Sequence, residues 1–139
     1  MIGLVLVSHG GLAQSTLETA SEIVGPIEPA AALPIRRHES LTDIEEHLRD
    51  CIRRVQRGHG VLVLADMFGG TASNVALQIH GDPRSVPIEV VTGFNLPMVL
   101  KASSLLRGSI DLAAAAQMVR MHGTKNVIVG SEALKGRAT

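Results

Sequence analysis

The sequence predicts an α/β fold of three layers, a mostly parallel, twisted sheet with helices on both faces. Two observations carry this. Short runs rich in Val, Ile and Leu alternate with segments of helical period along the 139 residues, the pattern of successive βαβ units. The runs are apolar throughout rather than alternating with polar residues, as strands covered on both faces are. Residues 1–139 read as one domain, with no internal repeat, linker or low-complexity stretch.

The elements follow in order. Ile2 to Val7 is a strand, too short and too β-branched for a helix. Leu12 to Val24 is a helix with Leu17, Ala20, Ile23 and Val24 on one face, ended by Gly25-Pro26. Ala31 to Ile35 is a strand that Pro34 confines to an edge or to a short length. Ser40 and Asp43 resemble a capping box. The helix they open has the apolar stripe Leu41, Ile44, Leu48, Cys51, Ile52, Val55, and Gly58 is its expected stop. Gly60 to Ala65 is a third strand, Ala72 to His80 a helix, and Ile88 to Thr92 a fourth strand. Pro97 opens a helix through about Leu106. Leu112 to His122 is another helix, Asn126 to Val129 a short last strand, and the polar tail from Ser131 is expected to fray.

Composition narrows the function. Thirteen basic and 13 acidic side chains give a formal net charge of zero, and aromatic residues make up 1%. Neither a basic face nor a set of base-stacking rings is available for nucleic acid. Cys51 is the single cysteine, so no internal disulfide forms, and its place on an apolar stripe suits a small buried hydrophobe. No Lys or Arg precedes the first apolar run, as a signal peptide would require. No run approaches the roughly 20 apolar residues of a spanning helix, so no membrane insertion is expected and the cytoplasm is the expected compartment.

Right-handed crossovers carry the strand-to-helix loops to one edge of the sheet, where ligands bind. Three such loops are unusual, and the topology predicts that they meet: Ser8-His9-Gly10-Gly11, Asp66-Met67-Phe68-Gly69-Gly70-Thr71, and Gly93-Phe94-Asn95-Leu96-Pro97. His9 falls between a buried strand and a helix N-terminus, where free amides and the helix dipole favour an anion. Gly10 and Gly11 let the backbone approach a ligand. A neutral imidazole, with an ordinary pKa of about 6.5, is a good nucleophile toward phosphorus. It could equally just fill the loop. Asp66 ends an apolar strand, where a carboxylate needs a partner. It could fix the imidazole tautomer and free the other nitrogen to attack, or it could cap the following loop or helix. Gly69-Gly70-Thr71 could form a concave array of N–H groups beside a hydroxyl, or a flexible turn. Ser8 could touch a phosphate or shape the turn, and Asn95 could hold the third loop or cap the next helix.

His38, His47, His59, His80 and His122 fall in loops or on polar helical faces, none at metal-ligand spacing with a second candidate. No Walker loop, dinucleotide fingerprint or GxSxG elbow is present.

Taken together, the strand ending in Ser8-His9-Gly10, the segment VLVLADMFGGTASNVA at 61–76 and VVTGFNLPMVL at 90–100 resemble the enzyme IIA component of mannose-type sugar phosphotransferase systems. The resemblance runs in order over about Ile2 to Gly130. It implies a domain that takes a phosphoryl group from the phosphorylated carrier HPr, holds it on the residue matching His9, and passes it to a IIB partner that serves a membrane IIC/IID permease. It implies that Asp66 hydrogen-bonds the histidine and that Thr71 lies near the phosphoryl group, with no metal or small-molecule cofactor. It also implies a homodimer in which the last short strand, matched by Asn126 to Val129, lies antiparallel in the partner's sheet. Gly11 and Phe68 stand where the family often has Trp, a difference that bears on partner preference. The chain carries no IIB domain, so its acceptor is expected to be a separate protein.

Other readings share parts of this pattern. A regulatory relay would use the same chemistry without moving a sugar. A phosphodonor to a dihydroxyacetone kinase shares the strand-SH start, but the D-x-x-GG loop favours the mannose type. Small tetrapyrrole metal chelatases also begin with a strand and HG, yet Gly11-Leu12 follows here and no second metal-site histidine is found. A histidine phosphatase would need several arginines to clamp phosphate, and the three loops contain none.

Overall fold

The computed structural model describes residues 1–138. Its elements are β1 (Gly3–His9), α1 (Leu12–Val24), β2 (Ala30–Ile35), α2 (Leu41–Val55), β3 (Val61–Ala65), α3 (Thr71–His80), β4 (Ile88–Thr92), α4 (Leu96–Leu105), α5 (Leu112–Lys125) and α6 (Gly130–Ala138). The four strands form one parallel sheet in the order β2-β1-β3-β4. From β1 the chain steps outward to β2, and from β3 it steps outward the opposite way to β4. Strand order therefore reverses between β1 and β3, which opens a crevice at their carboxyl ends.

Side-chain alternation along the strands feeds two separate cores. Ile2 and, on β1, Leu4 and Leu6, with Leu62 and Leu64 of β3, pack under α1, α4 and α5. Val5 and Val7, with Val61, Val63 and Ala65, pack under α2 and α3. Both faces are covered, so Leu4 to Val7 of β1 and all of β3 must be apolar. Each fully buried Leu or Ile contributes roughly 1.5–3 kcal/mol by leaving water.

Helix α2 illustrates how the sequence sets local structure. The Ser40 hydroxyl accepts from the Asp43 N–H at 3.1 Å, capping the first turn. Ile44, Leu48, Cys51, Ile52 and Val55 are buried on one stripe, while Leu41 stays exposed near the sheet's carboxyl edge. Burial raises the Cys51 thiol pKa, only partly opposed by the Arg54 guanidinium.

Several expectations are corrected. Strand β1 continues to His9, because its ladder with β2 pairs His9 with Ile35. Helix α2 stops at Val55, with Gln56 already extended, and Gly58 lies beyond it in the loop. Ile23 and Val24 are exposed, because α1 packs through Ala13, Leu17 and Ala20 one or two turns earlier. Asn126 to Val129 is not a strand within the chain. The Asn126 side chain donates to the His122 carbonyl at 2.8 Å and its backbone N–H returns to α5, so this residue ends a helix. Residues 127–129 run on without a ladder partner, with Val127, Ile128 and Val129 exposed. The segment from Ser131 is helical rather than frayed: the Val129 carbonyl accepts from Glu132 and Ala133, good helix formers. Among the described residues no helix is long and apolar enough to cross a membrane.

Strand β1 enters the sheet beside the end of α2, where a Cβ on Gly3 would lie 2.6 Å from the Val55 carbonyl oxygen. The obstacle is backbone and cannot rotate away. Gly3→Ala is expected to lower stability by roughly 1–3 kcal/mol in chemical denaturation, the usual range for overpacking; an unchanged midpoint would show that α2 shifts freely.

Candidate functional site

The carboxyl ends of β1 and β3 bring His9 and Asp66 together at the reversal of strand order. The Asp66 Oδ2 atom accepts two hydrogen bonds from the same residue, the His9 backbone N–H at 3.0 Å and the ring Nδ1 at 2.8 Å. Its Oδ1 accepts from the Met67 N–H at 3.0 Å. The Asp66 N–H in turn donates to the Val7 carbonyl at 3.2 Å. Burial of Asp66 works against its ionisation, but the hydrogen bonds from His9 and Met67 and the His9 charge outweigh it and hold the carboxyl below its ordinary pKa. An ionised carboxylate on Nδ1 makes that nitrogen the protonated one. In the neutral ring the Nε2 atom then carries the lone pair, and no group of the described residues bonds to it. The side chains are 52% exposed for His9 and 9% for Asp66, so the ring meets solvent while its partner does not.

Gly70 lies under the ring. A Cβ there would come within 3.2 Å of both His9 Cε1 and Met67 Cγ. This glycine is favoured by close approach rather than by backbone conformation, since a Cβ would press on the His9 ring. It is also the N-cap of α3, whose amides at Thr71 and Ala72 meet no partner among the described residues. Thr71 lines the same cleft as His9 and Gly10. An imidazole nitrogen with a free lone pair thus sits beside the positive end of a ten-residue helix.

The remaining candidates have other duties. Ser8 is fully buried; its hydroxyl accepts from the Ala13 N–H at 2.7 Å and donates to the His9 carbonyl at 3.1 Å. Of its two expected roles it takes the second, shaping the turn into α1. The Gly10 N–H is spent on the Ile35 carbonyl. The Gly69 N–H is spent on the Ser73 hydroxyl at 2.9 Å, so of the glycine amides in this loop only that of Gly70 is open. Ser73 was not singled out in the sequence; it is fully buried and donates on to the Gly70 carbonyl, fixing the loop's shape. Asn95 performs both of its expected roles. Its Oδ1 caps α4 by accepting from Met98 N–H at 3.0 Å, and its Nδ2 donates to the Gly123 carbonyl of α5 at 3.1 Å.

The expected meeting of three loops is corrected. The third, 93–97, packs on the α1 side, where Phe94, Asn95 and Leu96 face Leu12 and Ser15. The loop from β2 to α2 takes its place. The cleft of about 560 Å³ around His9 is walled by Ile35, Arg36, Arg37 and Glu39 as well as Thr71. The reason is strand order: β2 is the other neighbour of β1, whereas β4 lies beyond β3. Two arginines therefore stand in a site whose other loops have none. The signal was present, since a βαβ unit puts the end of its second strand beside the end of its first.

Comparison with known proteins finds relatives of the whole fold. The family model described as "PTS system fructose IIA component" matches residues 3–122. The PTS system fructose-specific EIIA component of Bacillus subtilis is 28% identical over 105 residues, covering 76% of this chain and 70% of that protein. The PTS system mannose-specific EIIAB component of Escherichia coli K12 is 29% identical over 100 residues; the match covers 72% of this chain but only 30% of that longer protein. The solved mannose/sorbose-specific IIA subunit from Enterococcus faecalis superposes with a TM-score of 0.79 at 29% identity, covering 92% of this chain and 93% of that one.

The depressed pKa of Asp66 fixes the sign of a pH effect. Such a group contributes stability that is complete above its unfolded value, about 3.9 for Asp, and is lost as pH falls through the folded value. The stability advantage of the wild type over Asp66→Asn is expected to be flat across neutral pH and to shrink below about pH 4, read by denaturant unfolding at a series of pH values. An advantage that grows on acidification would mean that the carboxyl is protonated in the folded chain.

Proposed function

The chain belongs to the family of fructose- and mannose-type IIA components of the sugar phosphotransferase system, and from that premise we propose that it is a phosphoryl carrier whose acceptor atom is His9 Nε2. The observation that supports this most is the two-point hold of Asp66 on His9. Membership in this family sets the chelatase and phosphatase readings aside.

In this reading phosphorylated HPr is the donor. The Nε2 lone pair attacks phosphorus, the P–N bond to the donor histidine breaks as the new P–N bond forms, and the donor ring leaves as a neutral imidazole. The His9 ring becomes positively charged, with its proton still on Nδ1 and opposed by the Asp66 carboxylate. No proton need move through the protein. The phosphoryl oxygens meet the amide end of α3 and the Thr71 hydroxyl, which stabilise charge without rearranging. Transfer onward to a IIB partner repeats the same step in reverse, and that partner would in turn serve a membrane IIC/IID permease. The exposed, unpaired segment 127–129 supports a homodimer in which it adds to the partner's sheet edge.

Two measurements test this. Label from phosphorylated HPr is expected on one residue, as an acid-labile, alkali-stable phosphoramidate, and to vanish in His9→Ala. Asp66→Asn should fold yet accept label at least about 100-fold more slowly, having lost a group that orients the base and offsets its charge. Mass mapping of the modification to another residue would end the proposal. Separately, Ile128→Asp is expected to convert a dimer to a monomer in sedimentation equilibrium; a variant that stays dimeric would remove this segment from the interface.

A further inference from the structure

The cleft beside His9 holds a charge that the phosphoryl carrier reading does not use. The ladder of β1 with β2 pairs His9 with Ile35, and the Gly10 N–H donates to the Ile35 carbonyl at 3.1 Å. Arg36 and Arg37 therefore leave the sheet immediately beside the imidazole, and both line its cleft. Among the described residues neither guanidinium meets a hydrogen-bond or ion-pair partner. The acid in the same loop is committed elsewhere: Glu39 Oε1 accepts from the Arg36 backbone N–H at 2.7 Å, and Oε2 meets His47 Nδ1 at 3.2 Å. That backbone bond curls the loop and keeps its carboxylate from pairing with either side chain. The Asp66 carboxylate is turned to His9 Nδ1 and the amides. The unpaired charge lining the cleft is thus positive.

We infer that Arg36 and Arg37 form a guanidinium clamp for the phosphoryl group on His9, raising the protein's equilibrium hold on that group. Arginine presents a planar fork of donors suited to phosphate oxygens, and charge-assisted bonds of this kind are the strong ones. The α3 amides approach the group from the Gly70 side of the ring, and the β2–α2 loop would close the other side. The arginines touch the phosphoryl group only once it has arrived, so their effect falls on the transfer equilibrium and not on the identity of the nucleophile. The inference rests on the carrier function above.

The test measures a partition rather than a rate. Labelled phospho-HPr is mixed with wild type, with the double variant R36Q/R37Q or with R36K/R37K, and label is counted on each protein once transfer has stopped changing. The double Gln variant is expected to shift the equilibrium constant toward HPr by about tenfold or more, the scale of losing charge-assisted hydrogen bonds. The double Lys variant, keeping charge but not the fork, should fall between. Thermal melts of all three should coincide, since both side chains are exposed and unpaired. An unchanged partition overturns the clamp even if equilibrium is reached more slowly, for slower approach alone marks a docking contact. A wild type that takes no label overturns the carrier function and the clamp together.

Discussion

One carboxylate decides what this site can be. Asp66 binds His9 at two points, through its backbone and through its ring, with a single oxygen. The first bond ties the carboxyl end of β1 to that of β3 and continues their ladder past its last pair. The second selects the imidazole tautomer. Because both arise from the same atom, strand register and ring protonation are not independent. A slip of β1 against β3 would turn the histidine to the opposite face and remove the carboxylate from reach.

The fold makes this arrangement inexpensive to maintain. Position 66 follows a strand buried at all five residues, where a carboxylate without partners would be strongly disfavoured. It has three donors, and they suffice to keep it ionised. The two cores, one on each sheet face, fix β1 and β3 beneath the pair. Ser8 and Ser73 extend the same logic into the loops. Both are fully buried hydroxyls that accept from one backbone N–H and donate to one backbone carbonyl. They fix the turns around the reactive ring without facing it.

Much of this was legible in the sequence. The apolar runs that become β1 and β3 are too short and too β-branched for helices, and α1 and α2 begin where their turn and cap residues place them. His9, Asp66 and the Gly69-Gly70-Thr71 loop could be found because a polar residue ending an apolar strand needs a physical reason. Strand order was less visible. It depends on which neighbour each strand takes, and it exchanged the 93–97 loop for the 36–39 loop in the wall of the cleft. The C-terminal segment depends on a neighbour for a related reason. Val127, Ile128 and Val129 have the composition of a strand, but a strand requires a partner, and Asn126 is engaged in closing α5.

The edge position of β2 has an evolutionary reading. Its residues are only half-buried up to Ile35, and it touches the rest of the sheet along one side. Substitutions just past its end disturb neither core. If His9 carries a phosphoryl group as proposed, exchanges at positions 36 and 37 would tune how firmly that cargo is retained, while the chemistry one strand away stays fixed.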